Sequence, residues 1–444
     1  MKDILRDQRP ATVSRHGTPQ VGDVRARWGW TEPAVWTERM LSALEAGVKG
    51  GKWFRLIDKV YASRTLAASW RQVHARAGAG GVDRQTVEQF AAQAEQHLQH
   101  LHEVLRTDTY VPQAVRRCWI EKVGSVEKRP LGIPTIKDRV VQGALRLVLE
   151  PIFEREFHPR SYGFRPGRGC KDALREVQRL LNEGSPYVVD ADLKSYFDTI
   201  PHPELMADVK RHVAEGRVLK LLEAYLTQGV MDGLAQWTPE AGTPQGAVIS
   251  PLLANLYLHP VDQAVAAAGY EAVRYADDLV ILCRSAEEAQ RALELLRKLI
   301  TARKLTLHPE KTRIVDARQR GGFDFLGYHF ERGMRWPRKK SLRKFKEAVR
   351  RRTRRTSGRS LAMVIVGLNP VLRGWFQYFK HSHWTTFRPL DAWIRMRLRS
   401  LLRQHSGRTG RGRGADHQRW PNSFFREQDL YGLVEAHRLA SRSP

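Results

Sequence analysis

The sequence predicts an α+β protein in which an antiparallel sheet lies between two largely helical regions. Apolar residues recur at helical spacing from about residue 33 to 105, and again from about residue 338 to 403. Between these regions, the runs at residues 187–193 and 272–282 are rich in β-branched and apolar residues, as buried strands are. At 444 residues, the chain is long enough for roughly two to four domains.

The second of the two strand-like runs is interrupted by a pair of adjacent carboxylates, Asp277 and Asp278. They stand where the strand should turn back on itself, and two anions in a tight hairpin repel each other unless water or a divalent cation neutralises them. An isolated pair of this kind is usually a solvated turn. Here Asp192 ends the earlier run, so if that strand lies beside the hairpin, three carboxylates converge and can hold two Mg²⁺ ions for phosphoryl transfer.

A loop rich in glycine and proline lies between these two runs, at residues 242–249, and presents Gln245. A glutamine held on a rigid loop can hydrogen-bond a nucleotide. Ser250 and Pro251 follow, and they predict the start of an apolar helix with the serine as its cap and the proline in its first position.

The remaining segments before the sheet have simpler signatures. Residues 1–32 are polar and dotted with proline and glycine, which predicts a poorly ordered segment. Residues 114–136 predict a β-hairpin that turns at Gly124 and Ser125. Residues 138–157 and 171–181 predict amphipathic helices.

The composition indicates a folded protein that binds nucleic acid. Lys and Arg number 75 against 47 Asp and Glu, a formal charge of +28, while 42% hydrophobic residues exclude a disordered polyelectrolyte. The widely spaced Cys118, Cys170 and Cys283 argue against a disulfide framework or a cysteine-rich zinc site, and favour a reducing compartment. No apolar run has the length of a signal peptide or a membrane span, so we expect a cytoplasmic protein that does not contact a membrane.

The positive charge is concentrated towards the C-terminus, where residues 338–355 mix cations with apolar residues as a helix with one basic face does. Its candidates for binding backbone phosphates are Lys339, Lys340, Arg351 and Arg352, although such a run is often only a solvated face. Residues 408–414 predict a flexible basic linker, and the aromatic residues from Trp420 onward suffice for a small packed unit. The apolar stripe at residues 372–379 predicts core packing.

In their order and spacing these segments resemble bacterial group II intron reverse transcriptases, or intron-encoded maturases, of the compact kind without an appended endonuclease domain. The resemblance extends from about residue 36 to the C-terminal tail. No single block is decisive, but their order is specific. The matching blocks are residues 129–135, 138–142, 161–168, 187–193, 242–257, 275–278, 307–312, 325–328 and 368–379.

The resemblance implies a right-hand polymerase fold with fingers, a palm that holds the antiparallel sheet, a helical thumb and a short C-terminal DNA-binding tail. It divides the chain into residues 1–32, a poorly ordered segment; 33–186, an N-terminal extension and fingers; 187–330, the palm with residual fingers elements; 331–405, the thumb or maturase domain; and 406–444, the basic linker and DNA-binding tail. The partners it implies are group II intron RNA, an RNA template with a DNA primer, target DNA and dNTPs.

The resemblance also assigns roles to individual residues of an RNA-directed DNA polymerase. Two Mg²⁺ ions are assigned to Asp192, Asp277, Asp278 and the carbonyl of Leu193. The nucleotide is assigned to Lys122, Arg129, Phe197, Gln245 and Lys311. Among these, Arg129 and Lys122 bind the triphosphate, Gln245 touches the nucleotide, and Lys311 protonates pyrophosphate. Phe197 is either the aromatic gate that excludes a 2′-hydroxyl or a buried core residue. Asp190 shares a strand face with Asp192 without a metal role, and Asp198 is interpreted as structural.

Two other functions remain open from the sequence. One is an RNA-binding splicing factor with a vestigial polymerase centre, against which the intact Asp192, Asp277 and Asp278 argue. The other is a domesticated or defence-associated reverse transcriptase. The sequence shows no Cys/His cluster of the kind found in the family's endonuclease domain, so a primer would come from elsewhere, and the oligomeric state is open.

Overall fold

The structure is a computed structural model and describes residues 24, 26–121, 128–356 and 358–441. Lys122 and the turn at Gly124 and Ser125 lie outside the described residues. The described chain combines helices with sheets whose strand pairings are antiparallel except that of β1 with β4, and the prediction of an α+β fold is confirmed.

Helices dominate both ends of the described chain and cover the sheets between them. The helices are α1 Glu38–Ala46, α2 Ile57–Tyr61, α3 Ser63–Arg76, α4 Val87–Ala92, α5 Ala94–Arg106, α6 Ile136–Glu154, α7 Cys170–Asn182, α8 Tyr196–Thr199, α9 His202–His212, α10 Gly216–Leu226, α11 Ser250–Ala267, α12 Ala286–Ala302, α13 Lys339–Arg352, α14 Leu361–Phe379, α15 Phe387–His405, α16 Ala415–Arg419, α17 Asn422–Glu427 and α18 Leu433–Ala440. The strands are β1 Val115–Glu121, β2 Lys128–Ile133, β3 Tyr187–Asp192, β4 Val230–Asp232, β5 Ala235–Trp237, β6 Glu271–Tyr275, β7 Asp278–Cys283, β8 Arg313–Asp316, β9 Phe323–Phe325, β10 Tyr328–Glu331 and β11 Met334–Pro337.

The described strands form three sheets. The first has the order β2-β1-β4-β5, and within it β1 is antiparallel to β2 and parallel to β4. The central sheet has the order β6-β7-β3-β8 and is antiparallel throughout, as the sequence predicted. The third, β11-β10-β9, leads into the C-terminal helices.

The central sheet is buried on both faces, which explains why its strands are apolar runs and not alternating ones. Val189 and Ile281 face one hydrophobic core, which they share with α6, α11 and α12. Val188 and Val280 face a second core, which they share with α7 and the third sheet. Because side chains alternate along a strand, this arrangement fixes the register of β3 against β7.

The C-terminal helices and the tail form one hydrophobic core. Phe345 of α13 and Phe376 of α14 pack in the same cluster as the tail residues Trp420, Phe425 and Leu433. The stripe predicted to be core is confirmed, since Leu372, Phe376 and Phe379 are buried and the ring of Trp375 stacks on Phe345 at 4.4 Å between centroids. The tail therefore packs into the core of this helical domain and does not form a separate unit.

Three local expectations differ from the structure. Gly412, within the segment expected to be a flexible linker, is buried, and its N–H donates to Ser400 Oγ at 3.3 Å. Trp28, within the segment expected to be poorly ordered, is only 2% exposed, and its Nε1–H donates to Glu45 at 2.6 Å. Ser250 does not cap α11: Ile249 is the cap residue, and the serine hydroxyl donates to the Pro244 carbonyl at 2.9 Å.

None of the helices in the described ranges has the length and apolar character needed to cross a membrane. Cys118, Cys170 and Cys283 are free thiols, as their wide spacing predicted.

Candidate active site

The three carboxylates predicted to converge lie at one end of the central sheet. Ala276 and Asp277 form a two-residue turn between the paired residues Tyr275 and Asp278, and Ala276 takes a left-handed conformation with φ of 59°. β3 runs antiparallel to β7 so that Asp192 lies directly opposite Asp278. The prediction that β3 pairs beside this hairpin is confirmed.

A buried arginine holds the turn in place. The guanidinium of Arg274 pairs with Asp262, with Nε 2.7 Å from Oδ1, and its Nη1 donates to the Ala276 carbonyl at 2.8 Å and to Asn255 Oδ1 at 3.0 Å. Both members of the ion pair are buried. Arg274, Asn255 and Asp262 are not among the residues predicted from the sequence, although an arginine inside an apolar strand indicates that a buried partner exists.

Gly163 supports the turn from the other side. The Asn255 amide donates to the Gly163 carbonyl at 2.7 Å, and a Cβ at Gly163 would lie 2.2 Å from the backbone nitrogen of Ala276. Any side chain there would displace the turn. The N–H of Tyr162 also donates to the Arg274 carbonyl at 2.8 Å, so residues 161–168 brace the hairpin that carries Asp277 and Asp278.

The carboxylates are partly desolvated and repel each other. Burial, with the nearby charge of Asp192, raises the pKa of Asp277. Burial, with the charges of Asp277 and Asp192, raises the pKa of Asp278 to about 6. Both shifts show that negative charge is costly at this end of the sheet, and a cation is what would lower that cost.

The donor chemistry fits Mg²⁺, because carboxylate and carbonyl oxygens are the hard ligands that Mg²⁺ prefers. Within the described ranges no group of three or more His, Cys, Asp or Glu side chains is already arranged as a metal site. Asp192 instead accepts a hydrogen bond of 2.7 Å from the ammonium of Lys311. Leu193, whose carbonyl was assigned to the metal, is buried and forms an isolated antiparallel β-bridge with Leu307.

Asp190 has a different partner. Arg313 on the adjacent strand β8 places its Nε 3.5 Å from Asp190 Oδ2. Burial raises the pKa of Asp190 to about 6, an effect that the charge of Arg313 opposes. Asp190 thus has a charged partner on β8 that Asp192 does not share.

The loop that presents Gln245 docks onto β2. The N–H of Gly132 donates to the Gln245 carbonyl at 2.6 Å, and a Cβ at Gly246 would lie 2.4 Å from the Gly132 carbonyl oxygen. The side-chain amide of Gln245 lies between two charged groups: Arg129 Nε donates to its Oε1 at 2.7 Å, and its Nε2 lies 3.3 Å from both oxygens of Asp198. Asp198, interpreted as structural from the sequence, thus orients a predicted nucleotide-binding residue.

Phe197 lies at the boundary between two cavities. It lines a cleft of about 1050 Å³, also bounded by Arg129 and Gln245, and a smaller cavity of about 280 Å³. Its ring is 8% exposed and meets the half-exposed ring of Phe164 edge-on, with centroids 6.3 Å apart. Phe197 is therefore a packed residue whose edge reaches the cleft. Lys122, the other residue assigned to the nucleotide together with Arg129, lies outside the described residues.

The helix α13 has the predicted basic face. Phe345 and Val349 are buried against α14 and α15, while Lys339, Arg351 and Arg352 are exposed. Lys340 is also exposed. The side chain of Arg352 is held in place, because its Nε donates to the Gly367 carbonyl of α14 at 3.1 Å.

Comparisons with known proteins match two regions of the chain, one that contains most of the strands and one within the C-terminal helices. Residues 120–330 match the reverse transcriptase (RNA-dependent DNA polymerase) family, and residues 342–420 match the group II intron maturase-specific domain. Protein YkfC of Escherichia coli K12 is 33% identical to the chain over an alignment that covers 69% of this chain and 86% of YkfC. The chain belongs to the group II intron reverse transcriptase and maturase family.

Other members of the family match over shorter stretches. The group II intron-encoded protein LtrA of Lactococcus lactis subsp. cremoris is 38% identical over 39% of this chain, a match that spans only 28% of LtrA. An uncharacterized 91 kDa protein in the cob intron of Schizosaccharomyces pombe is 40% identical over 34% of the chain and 18% of its own length. The chain therefore spans well under two thirds of the length of these two relatives. An activity of either relative is assigned to this chain only as a proposal.

Proposed function

We propose that this chain is an RNA-directed DNA polymerase that also binds group II intron RNA, assists its splicing and supports intron mobility. The observation that carries the proposal is the register of the central sheet, which sets Asp192 opposite Asp278 and beside the turn residue Asp277. Three carboxylates at a strand end, with Phe197 of the next segment reaching a cleft that Arg129 and Gln245 also line, suit transfer of a nucleotidyl group.

In this proposal Asp192, Asp277, Asp278 and the Leu193 carbonyl hold two Mg²⁺ ions. Metal ions held there would lower the pKa of the primer 3′-hydroxyl and stabilise the charge that develops on the leaving pyrophosphate. Arg274 and Asn255 position the turn so that Asp277 and Asp278 stay at the end of the sheet. Lys311 lies within reach of the same carboxylate end and donates a proton to the leaving group.

The dNTP occupies the cleft that Arg129 of β2 and Gln245 line together with Phe197. Arg129, with Lys122 beyond the described residues, binds the triphosphate, since a guanidinium can grip two phosphate oxygens at once. Gln245 contacts the nucleotide with the amide orientation that Arg129 and Asp198 impose. The edge of Phe197 lies below the sugar and disfavours a 2′-hydroxyl.

The proposal also assigns a role to each region of the chain, and nucleic acid binds to the C-terminal half. Residues 33–186 serve as N-terminal extension and fingers, 187–330 as palm and 331–405 as thumb, with a tail from 406 that contacts target DNA. The exposed Lys339, Lys340, Arg351 and Arg352 contact the phosphates of intron RNA or of the template–primer duplex. The charge of +28 supports such a partner.

The direct test is primer extension on an RNA template with purified Asp192→Ala and Asp277→Ala chains. Loss of metal stabilisation should reduce the rate by a factor of about 10³ or more, because several kcal/mol of transition-state stabilisation are removed. Binding of intron RNA should persist in both. Asp324→Ala, which removes an exposed carboxylate paired with His329, is the matched control. Near-normal dNTP incorporation by both variants would reject the polymerase assignment.

A further inference from the structure

Arg338 is the residue between strand β11 and helix α13, and its backbone is fixed to the third sheet. It is the cap residue of α13, and its N–H donates to the Gly327 carbonyl at 2.9 Å. The Ser341 hydroxyl donates to the same carbonyl at 3.0 Å, and a Cβ at Gly327 would lie 3.3 Å from that hydroxyl. The start of α13 is therefore held against the turn of Leu326 and Gly327 that joins β9 to β10.

That turn packs over the face of the central sheet that carries the carboxylates. Tyr275 lies opposite Asp278 in the pairing of β6 with β7, so both side chains point to one face, as does Val280 two residues further on. Leu326 and Tyr275 pack against the same hydrophobic cluster, of which Val280 is a buried member. Burial and the neighbouring carboxylates raise the pKa of Asp278, and the charge of Arg338 opposes that rise. Arg338 therefore lies close to the carboxylates, on the side of the third sheet.

The side chain of Arg338 has no protein partner within the described part of the chain. Its Nε is buried and has no hydrogen-bond acceptor there. The other cations near this end of the sheet are paired, Lys311 with Asp192 and Arg313 with Asp190. A buried donor without an acceptor is costly, so the unused nitrogen of Arg338 indicates an acceptor that comes from outside the chain.

The geometry of the proposed reaction indicates which acceptor this is. In an in-line displacement the attacking and leaving oxygens lie on opposite sides of the phosphorus atom. We propose above that the triphosphate binds Arg129, which lines the large cleft with Gln245. Burial raises the pKa of Asp277, and the charge of Arg129 opposes that rise, so Arg129 and Arg338 act on different members of the carboxylate pair. The primer must approach from the side away from the triphosphate, and Arg338 is the unpaired cation on that side among the described residues.

We propose that Arg338 binds the phosphate that joins the last two nucleotides of the primer, and so holds the 3′-hydroxyl beside Asp278. An arginine suits this task, because its guanidinium can donate to two phosphate oxygens at once. A phosphate contact is independent of sequence, so every primer end is held in the same way. This inference rests on the proposed polymerase function, since the side on which the primer lies follows from the position of the triphosphate.

The test compares a normal DNA primer with one whose last linkage is an uncharged methylphosphonate. Both end in a dideoxynucleotide, so that with template, Mg²⁺ and the next dNTP they bind but cannot be extended. The neutral linkage should weaken binding to the unaltered chain by about 10- to 150-fold, the range for a hydrogen bond with a charged partner. In Arg338→Gln it should cost little more, because the contact is already absent. Arg338→Lys should recover part of the dependence, since the ammonium keeps the charge.

Arg332→Gln is the matched control for the loss of one positive charge. Arg332 is exposed and lies in the turn between β10 and β11, at the opposite end of β10 from Leu326. This variant should respond to the neutral linkage as the unaltered chain does. An equal response in Arg338→Gln would overturn the inference and leave Arg338 as a counter-ion of Asp278.

A second arm uses the unaltered chain alone, so that it does not depend on how a variant folds. The neutral linkage is moved step by step away from the 3′ end, and the loss of affinity should be greatest at the last linkage. A loss that is no greater there than farther along the primer would overturn the inference. Extension of a normal primer is measured alongside. Extension without a special response at the last linkage rejects this inference alone, whereas that response without extension rejects the proposed function and leaves the primer contact standing.

Discussion

The ammonium of Lys311 lies 2.7 Å from Oδ2 of Asp192 and donates a hydrogen bond to it across 119 residues of sequence. The lysine is 60% exposed and the aspartate 29% exposed, so the pair is only partly shielded from solvent. Lys311 neutralises one of three carboxylates that otherwise repel each other. The same oxygen belongs to the residue that we propose as a metal ligand, so ammonium and metal compete for it.

Replacement of Lys311 by Met should separate these two effects. Without the ammonium, Mn²⁺ should bind more tightly, by about 1.4- to fivefold, because a partly exposed ion pair is worth about 0.2–1 kcal/mol. The maximal rate of dNTP incorporation should fall, because the proposed proton donor is absent. Binding of Mn²⁺ is measured by electron paramagnetic resonance, and the rate by single-turnover extension. Unchanged metal affinity would show that Lys311 does not compete for Asp192.

The chain of hydrogen bonds from Arg129 through Gln245 to Asp198 predicts a defect in nucleotide binding. Asp198→Ala removes the acceptor that orients the Gln245 amide, and KM for dNTP should rise about two- to tenfold, since one hydrogen bond contributes about 0.5–1.5 kcal/mol. The kcat should change less. Asp198→Asn, which can still accept from Gln245, should recover part of the loss. Steady-state kinetics of both variants test this, and a fall in kcat alone would contradict it.

The position of Phe197 predicts a change in sugar preference. Phe197→Val removes the ring edge from the cleft, and incorporation of ribonucleotides relative to deoxynucleotides should rise about ten- to 100-fold, the range expected for one steric group in a pocket. The ratio of kcat/KM for an rNTP and its matching dNTP is the measurement. Phe164→Val alters the half-exposed ring beside it and serves as the control. A constant ratio in a folded variant would leave Phe197 as a packing residue only.

The buried pair of Arg274 and Asp262 predicts a large effect on stability. Arg274→Met leaves the Asp262 carboxylate buried without its partner, and the free energy of unfolding should fall by about 3–5 kcal/mol. Disruption of the exposed pair of Arg179 and Glu183 should cost about 1 kcal/mol or less. Denaturant unfolding of both variants gives the comparison. Equal costs would mean that the arginine does not anchor the turn.

The basic face of α13 predicts a dependence of binding on salt. Charge-neutral substitutions at Lys339, Lys340, Arg351 and Arg352 should reduce the slope of log K against log salt by at most about 0.9 for each DNA phosphate that the variant no longer neutralises. Arg352 should contribute least, because it already donates to the Gly367 and Ala348 carbonyls. Binding of a primer–template duplex is measured from low to moderate salt. Identical slopes for wild type and the quadruple variant would make this face merely solvated.

Features that depend on a short stretch of sequence, such as a buried strand or a tight turn, could be predicted. Apolar runs and the acidic hairpin predicted the two buried strands, and Asp192 was expected near Asp278 if those strands pair, as they do. Local pattern did not reveal the hydrogen bond of Arg129 with Gln245, which joins residues 116 apart through a docked loop. Nor did it show that Asn255 and Arg274 clamp the turn, since a polar residue in an apolar helix or strand signals a partner without identifying it.

The shared core of the C-terminal helices and the tail has a consequence for movement. Trp420, Phe425 and Leu433 fill the same interior as Phe376, and the Asp391 carboxylate accepts the backbone N–H groups of Leu433 and Val434 at 3.0 Å. The last helix therefore cannot swing away without opening that interior to water. The tail and helix α14 share one interior, so a displacement of the tail also displaces α14.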